Sequence, residues 1–242
     1  MSYINANWDV PRHVHAVTTT RQGGVSDAPY YSLNVGDHVG DEVSSVIENR
    51  RRICESLDIK TRPLWLSQVH GINVVPYEQA SVGEIRADGC YTNQKQKVCV
   101  VMTADCLPVA LYNHTQDNIA VVHAGWKGLA AGIIAEAAVK LGEGIVSAWL
   151  GPAIGPQNFE VGDEVRTAFV SKLPQHCSAF EATGNGKWLA DLYELARQQL
   201  DSLGISQVFG GNYCTYRDSN QFYSYRRDQL TGRMATLVWL DF

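Results

Sequence analysis

The sequence of 242 residues lacks the features that mark membrane, secreted and nucleic-acid-binding proteins. No apolar run approaches the roughly 18 residues of a membrane span, and the first residues show no basic region followed by an apolar stretch. The six cysteines contain no C-x-x-C pair and are too sparse for a disulfide framework. A formal net charge of -5 disfavours contact with a phosphate backbone. We therefore expect a cytoplasmic protein with reduced cysteines and with no nucleic-acid, membrane or evident protein partner.

Three common catalytic and cofactor motifs are also missing. There is no G-x-G-x-x-G after a strand, no G-x-x-x-x-G-K-[ST] and no G-x-S-x-G. Their absence excludes the standard dinucleotide and nucleoside triphosphate cradles and the nucleophile elbow of the serine hydrolases. The function must therefore depend on other residues.

What the sequence does contain is an alternation of strand and helix patterns without a flexible linker. This pattern predicts a single α/β domain over residues 1–242, with mixed β-sheets and flanking helices. Strands are predicted at residues 13–20, 63–77, 207–216, 222–228 and 235–240. Helices are predicted at residues 41–57, 128–142, 161–173 and 189–204.

The central stretch, residues 98–129, indicates two buried strands followed by the start of a helix. We expect each strand to end at one metal-binding side chain, Cys106 from the first and His123 from the second. Pro108 interrupts the predicted hydrogen-bond ladder close to the thiol. A third candidate, His70, lies where polar residues interrupt the apolar segment 63–77.

His70, Cys106 and His123 are 36 and 17 positions apart along the chain, which suits ligands that end different strands. Two imidazoles and a thiolate suit Zn²⁺ and leave the fourth position of a tetrahedron open, as in catalytic zinc sites. Copper is a second candidate, because Cu²⁺ binds such donors strongly. Alternatively, Cys106 is a nucleophile with His123 as its base and Asp105 or another polar group as the orienting residue. A structural role, with a buried cysteine and two hydrogen-bonded histidines, is the third alternative.

Several motifs resemble those of the YfiH family, also described as a laccase-domain or polyphenol oxidase family and as a peptidoglycan editing factor. They are WLSQVHG, ADGCYTN, VMTADCLPV, AVVHAGWKGL and LGPAIGP, and the resemblance extends from TTTRQGGVS to SYRRDQLTGRMA. It implies one α/β domain related to the cytotoxic necrotizing factor type of cysteine hydrolase. It also implies a zinc site at His70, Cys106 and His123.

The resemblance further implies a purine nucleoside enzyme whose small-molecule partners are a nucleoside and phosphate. The expected reactions are phosphorolysis of adenosine, inosine and methylthioadenosine, together with deamination of adenosine. One alternative is a peptidoglycan editing hydrolase that acts on a serine-containing UDP-MurNAc precursor. The other is a laccase-like copper polyphenol oxidase.

Substrate contacts are predicted at positively charged and amide side chains near the motifs. Arg21 follows a strand and precedes two glycines, which makes it the first candidate for an anion anchor. Arg226 is the second candidate. Lys127 is the third, because the family usually has arginine at this position and a lysine lacks the bidentate fork of the guanidinium. Asn34 and Gln68 are predicted to contact the ribose or the base.

Overall fold

The computed structural model describes residues 1–81 and 83–241, which form thirteen strands and six helices. The strands are Tyr3–Asn5 (β1), Val14–Thr19 (β2), Val74–Pro76 (β3), Gly89–Thr92 (β4), Cys99–Thr103 (β5), Leu107–Asn113 (β6), Asn118–Ala124 (β7), Val146–Leu150 (β8), Glu160–Gly162 (β9), Phe180–Gly184 (β10), Lys187–Ala190 (β11), Gln207–Gly210 (β12) and Met234–Leu240 (β13). The helices are Val43–Ser56 (α1), Trp126–Ala131 (α2), Ile133–Leu141 (α3), Asp163–Val170 (α4), Leu192–Ser202 (α5) and Tyr225–Asp228 (α6). None of the helices described here is long and apolar enough to cross a bilayer.

Two larger sheets and one small sheet organise the chain. The strand orders are β1-β2-β13-β5 in the four-stranded sheet and β12-β8-β6-β7-β4-β3 in the six-stranded sheet. The small sheet has the order β10-β11-β9. Strands β3 and β4 are parallel, as are β8 and β12, whereas the other pairs are antiparallel. The prediction of an α/β fold with mixed sheets and flanking helices is confirmed.

The hydrophobic core is divided into layers by these sheets. Between the two larger sheets, Val101 of one packs in the same cluster as Trp149 of the other. The opposite face of the six-stranded sheet is covered by helices α2 to α5, through residues such as Ile133 and Leu195. Helix α1 covers the four-stranded sheet through Ile53. Burial on both faces explains why β6 and β7 are almost continuously apolar.

The central stretch forms three strands rather than the two predicted. Strand β5 belongs to the four-stranded sheet, whereas β6 and β7 belong to the six-stranded sheet. The chain crosses between the sheets in a tight turn at Asp105, whose φ of 92° is in the left-handed region, and Cys106 follows directly. Cys106 therefore lies directly before β6 and not at the end of a strand.

Four other predicted segments have wrong boundaries. The strand predicted at residues 207–216 ends at Gly210, whose φ is 75°. Residues 63–77 form a strand only at Val74–Pro76, because the chain turns at His70, whose φ is 59°. The helix predicted at residues 128–142 is divided at Gly132, whose φ is 104°. Residues 222–228 contain the short helix α6 and no strand, because the Ser224 hydroxyl caps that helix by accepting from the Arg227 amide.

The outer face of α1 also differs from expectation. Helical spacing in the sequence predicts Val43 and Ile47 on its apolar stripe, yet both are more than 60% exposed. Its buried face includes Asn49, whose side chain ties the helix to the loop after β2. The Asn49 amide accepts from the Val25 backbone amide (2.8 Å) and donates to the carbonyls of Ser32 (3.2 Å) and Asn34 (2.8 Å).

We predict that Asn49→Ala destabilises the fold by about 2–4 kcal/mol, because it leaves several buried backbone groups without hydrogen-bond partners. Urea unfolding would measure the change in the free energy of unfolding. Ser44→Ala, an exposed change on the same helix, is the matched control and should have little effect. Equal unfolding free energies for the two variants would contradict the prediction.

Candidate metal centre

The structure brings His70, Cys106 and His123 together from three separate segments. Their ligand atoms all lie within 4.8 Å of one another. The Cys106 Sγ is 4.0 Å from the His70 Nε2, and the two imidazole ring centres are 4.7 Å apart. His123 is close to the end of β7, where its Cα pairs with that of Pro108 on β6. The pairing of β6 with β7 thus fixes the separation of the cysteine from this histidine.

A buried carboxylate, Asp88, orders two of the three candidate ligands. It accepts hydrogen bonds from the backbone amides of Val69 (3.2 Å), His70 (2.9 Å) and Gly71 (2.7 Å). It also accepts from the His123 Nδ1 at 2.9 Å. The latter contact keeps the proton on Nδ1 and leaves Nε2 available to a metal. Asp88 lies in the motif ADGCYTN, but no sequence prediction above gives it a role.

The charges of Cys106 and His123 stabilise each other. Burial opposes ionisation of the thiol, but the His123 and His70 imidazoles outweigh it and lower the pKa of Cys106 to about 6. Burial likewise disfavours the His123 cation, but the Cys106 thiolate and Asp88 raise the pKa of His123 to about 9. Without a metal, the pair is a thiolate and an imidazolium at neutral pH. A metal ion would replace the proton on His123.

The donor set fits a tetrahedral ion of the zinc type. Zinc bonds of about 2.3 Å to sulfur and about 2.0–2.1 Å to nitrogen place the two donor atoms about 3.6 Å apart. The Cys106 Sγ and the His70 Nε2 are 4.0 Å apart and the three donor atoms lie within 4.8 Å of one another, so the side chains would have to close by about 0.5–1.5 Å to reach this geometry. Three protein donors leave one position for substrate or solvent, as catalytic sites require.

The candidate metal centre opens into a cavity of about 450 Å³. Besides the three candidate ligands, its wall contains polar and charged side chains and a short stretch of β5 with its following turn: His38, Gln68, Met102, Thr103, Ala104, Tyr225 and Arg233. Arg233 brings a guanidinium to the cavity, and burial lowers its pKa while Cys106 and Asp105 raise it. Burial, and then the nearby Arg233 charge, lower the pKa of His38, which favours its neutral imidazole.

Comparison with known proteins places the chain in a family. The family model described as multi-copper polyphenol oxidoreductase laccase matches residues 15–241. The chain is 48% identical to the purine nucleoside phosphorylase YfiH of Shigella flexneri, over 98% of each chain, and 46% identical to a purine nucleoside phosphorylase of Haemophilus influenzae, over 100% of each. This chain belongs to the YfiH family.

Solved structures of similar proteins agree with this assignment. A crystal structure of a Neisseria meningitidis protein is 41% identical and superimposes with a TM-score of 0.96, covering 100% of both chains. The Bacillus licheniformis protein YfiH is 32% identical, with a TM-score of 0.88 over 94% of this chain and 93% of its own. The fold described above is therefore that of the YfiH family. The family and the donor set both indicate a metal at this site.

In this YfiH-family chain, the two amides predicted to contact substrate are held by the backbone. Gln68 lines the cavity, but its amide donates to the Met102 carbonyl (2.8 Å) and accepts from the Met102 amide (2.6 Å). Asn34 is fully buried, and its Oδ1 accepts from the backbone amides of Gly36 (2.9 Å) and Arg233 (2.8 Å). Asn34 therefore positions the segment that carries the cavity arginine, and a direct substrate contact stays a prediction without support from this geometry.

The three predicted anion anchors lie outside the wall of the 450 Å³ cavity. Arg21 donates to the Tyr31 and Ser219 carbonyls, both at 3.1 Å. Lys127 is exposed beside the indole of the preceding residue. Arg226 lines a second, smaller cavity. Their roles as anion anchors stay predictions. Arg233 does line the cavity, but it is not among the predicted anchors, although it lies in the motif segment SYRRDQLTGRMA.

The aspartate that orients His123 is Asp88, not Asp105. The Asp105 carboxylate accepts from the Thr215 hydroxyl (2.6 Å), the Ser224 hydroxyl (3.0 Å) and the Arg226 amide (2.7 Å). These bonds fasten α6 to the turn that carries Cys106. Asp105 therefore positions α6 relative to the Cys106 turn and does not have the predicted role of orienting His123.

We predict that Gly125→Ala impairs metal binding while preserving the fold. A Cβ at Gly125 would lie 2.9 Å from the Cys106 Sγ and 3.1 Å from the His70 Cδ2, although its φ of -60° suits alanine. Metal affinity, measured by competition with a chromogenic chelator, should fall by about tenfold or more, since such overpacking costs about 1–3 kcal/mol. Gly155→Ala is the matched control, because its φ of -75° also suits alanine and its Cβ would be similarly tight, 3.1 Å from the Cys214 Sγ, but away from the three candidate ligands. Equal affinities in both variants would contradict this steric account.

We also predict an unusually acidic thiol at Cys106 in metal-stripped protein. Because its thiolate forms as the pH rises through about 6, its alkylation by iodoacetamide should have a midpoint there. An unperturbed thiol has a pKa of about 8.5, so glutathione in parallel reactions provides the reference. Peptide mass spectrometry at each pH would report the rate at Cys106. A profile that follows glutathione would show that the imidazoles do not stabilise the thiolate.

Proposed function

We propose that this chain is a zinc-dependent purine nucleoside phosphorylase, with a nucleoside and phosphate as its partners. Relatives that are 46–48% identical over nearly their whole length carry that activity in their names. Adenosine, inosine and methylthioadenosine are the proposed substrates, and deamination of adenosine is a proposed second reaction of the same site.

The observation that carries this proposal is that the three candidate metal ligands and the Arg233 guanidinium line the same cavity. Phosphorolysis requires an anion to be held beside the anomeric carbon of a nucleoside. Arg233 offers a charged, planar donor group for phosphate, and the metal centre forms another part of the same wall. A guanidinium that can hold phosphate beside the metal centre would therefore serve this reaction.

The bonding changes require no oxidant or reductant. An oxygen of phosphate forms a bond to the anomeric carbon, the glycosidic C–N bond breaks, and its electron pair and a proton go to the purine base. When bound, zinc would supply Lewis-acid polarisation of substrate oxygen or nitrogen atoms. Arg233 would bind phosphate, and Asp88 would hold the Nδ1 proton of His123 so that this imidazole keeps its orientation.

A second candidate function is a cysteine hydrolase, and the contacts of Asp88 favour it specifically. Asp88, His123 and Cys106 form a carboxylate, imidazole and thiolate series like that of nucleophilic hydrolases. Such a series suits the editing of a serine-containing UDP-MurNAc precursor. It would need Cys106 free of metal, whereas the phosphorylase would need it as a ligand.

We predict that purified protein of known metal content releases purine base from adenosine or inosine only when phosphate is present. Liquid chromatography would measure the base, and ribose 1-phosphate should form in equal amount. Cys106→Ala should lose about 100-fold or more of the rate, because it removes a metal ligand. Cys177→Ala, which changes an exposed thiol outside the site, is the matched control. Inosine formed from adenosine without phosphate would demonstrate deamination.

The same preparations separate the two candidates. Protein that contains zinc but forms neither product would contradict the nucleoside proposal. Removal of the metal should abolish phosphorolysis, whereas a cysteine hydrolase should release L-serine from the UDP-MurNAc-linked substrate without metal. Oxidation of a phenol by copper-loaded protein alone would instead support a polyphenol oxidase.

A further inference from the structure

A second cavity, of about 200 Å³, adjoins the one at the candidate metal centre. The two cavities share Ala104, Cys106 and Tyr225 in their walls. The turn that carries Cys106 and the Tyr225 side chain therefore stand between them. A ligand that occupies both would pass beside the Cys106 thiol.

The walls of the two cavities differ in chemistry. Outside the shared residues and the metal ligands, the larger cavity is lined by His38, Gln68, Met102, Thr103 and Arg233, and we call it the polar lobe. The smaller one is lined chiefly by aromatic and aliphatic side chains, and we call it the aromatic lobe. Its lining residues beyond the shared ones are Asp105, Trp126, Ile154, Phe159, Leu192 and Arg226.

We propose that the aromatic lobe binds the purine base and the polar lobe binds phosphate, so that the sugar of the nucleoside spans the boundary at Cys106. This inference rests on the proposed function and assigns orientation and specificity within that site. It makes Trp126 and Phe159 the residues that recognise the base and Arg233 the residue that recognises phosphate.

The aromatic lobe suits a flat, uncharged heterocycle. Trp126 and Phe159 supply faces on which a base can stack, and the fully buried Ile154 and Leu192 supply apolar contacts. The lobe is smaller than the about 300–1,000 Å³ of typical drug-sized ligand sites, which suits a bicyclic ring and not a whole nucleoside. Arg226 lies over Phe159, 5.3 Å from the ring centre, and its Nη1 donates to the Glu160 carbonyl (2.8 Å), which leaves its other guanidinium donors for acceptors on the base.

The polar lobe suits an anion, because Arg233 is held in place before any ligand arrives. Its Nη1 donates to the carbonyls of Thr231 (3.0 Å) and Gly232 (3.1 Å), and its backbone amide donates to Asn34. Its remaining guanidinium donors can form the fork that phosphate prefers. A phosphate in the aromatic lobe would instead lose its hydration to apolar side chains, which is strongly unfavourable.

This arrangement separates the nucleophile from the leaving group. A phosphate oxygen in the polar lobe forms the bond to the anomeric carbon as the C–N bond to the base breaks. The base keeps the electron pair, takes up a proton and remains in the aromatic lobe. The base and the phosphate are therefore recognised by different residues, so a substitution in one lobe can weaken the binding of one substrate without affecting the other.

Steady-state kinetics of phosphorolysis would test the assignment. Trp126→Leu and Phe159→Ala should raise the KM for inosine by about 5- to 150-fold, the range for loss of a base stacked on one aromatic side chain. They should leave the KM for phosphate within about twofold, and Trp126→Phe should retain most of the inosine affinity because it keeps a flat ring. Arg233→Gln should raise the KM for phosphate and leave the KM for inosine within about twofold. Arg217→Gln, at an exposed arginine outside both lobes, is the control. A change of both KM values by the same factor in every variant would overturn the proposal.

Equilibrium binding of free hypoxanthine distinguishes failure of this assignment from failure of the proposed function. Calorimetry should detect binding to the metal-loaded protein and a weaker affinity in Phe159→Ala, with circular dichroism confirming that the variant is folded. If the wild type has no phosphorolysis, the proposed function fails, but hypoxanthine binding lost in Phe159→Ala still supports the aromatic lobe as a base site. Absence of hypoxanthine binding, or equal binding by wild type and variant, would overturn the assignment whether or not phosphorolysis is observed.

Discussion

The Asp88 carboxylate is the contact on which the candidate metal centre depends most. It accepts hydrogen bonds from three consecutive backbone amides, those of residues 69–71, and from the Nδ1 of His123. One buried anion therefore fixes two of the three ligands. Burial disfavours its charge, but the bond to His123 and the amides of Gly71 and Val69 offset this and keep its pKa below the usual range. An apolar residue here would leave the loop amides and the imidazole without their shared acceptor.

The second constraint is the crossing of the chain between the two larger sheets. Strand β5 lies in one sheet and β6 in the other, and the turn between them delivers Cys106. Asp105 in that turn anchors α6, which brings Tyr225 and Arg226 to the cavities. This turn therefore positions one of the three candidate ligands and part of the wall that the two cavities share.

Much of this arrangement could be predicted from the sequence, because its signals are local. Apolar runs and helical spacing identify β2, β13, α1, α4 and α5, and a histidine or cysteine inside an apolar segment stands out as a candidate ligand. The sheet to which a strand belongs is not a local property, so the two-strand prediction for residues 98–129 missed the crossing at Asp105. Alternating aromatic residues suggested a strand at residues 222–228, but capping by Ser224 and the contacts of Asp105 favour a helix there.

Residues that act through distant partners were missed for the same reason. Arg233 reaches the cavity because Asn34, 199 positions away, holds its backbone, and Asp88 acts on segments before and after it. Arg21 is predicted as an anion anchor because glycines follow it, but its guanidinium donates to backbone carbonyls. Charge and neighbouring glycines identify a candidate, whereas the direction of the side chain depends on tertiary packing.

X-ray absorption at the zinc edge would test the metal centre most directly. Zinc-loaded protein should show one sulfur at about 2.3 Å and two imidazole nitrogens at about 2.0–2.1 Å, with one further light atom completing the tetrahedron. The sulfur contribution should disappear in Cys106→Ala. A zinc spectrum without sulfur, or one unchanged by that substitution, would contradict the assignment of His70, Cys106 and His123 as the metal ligands.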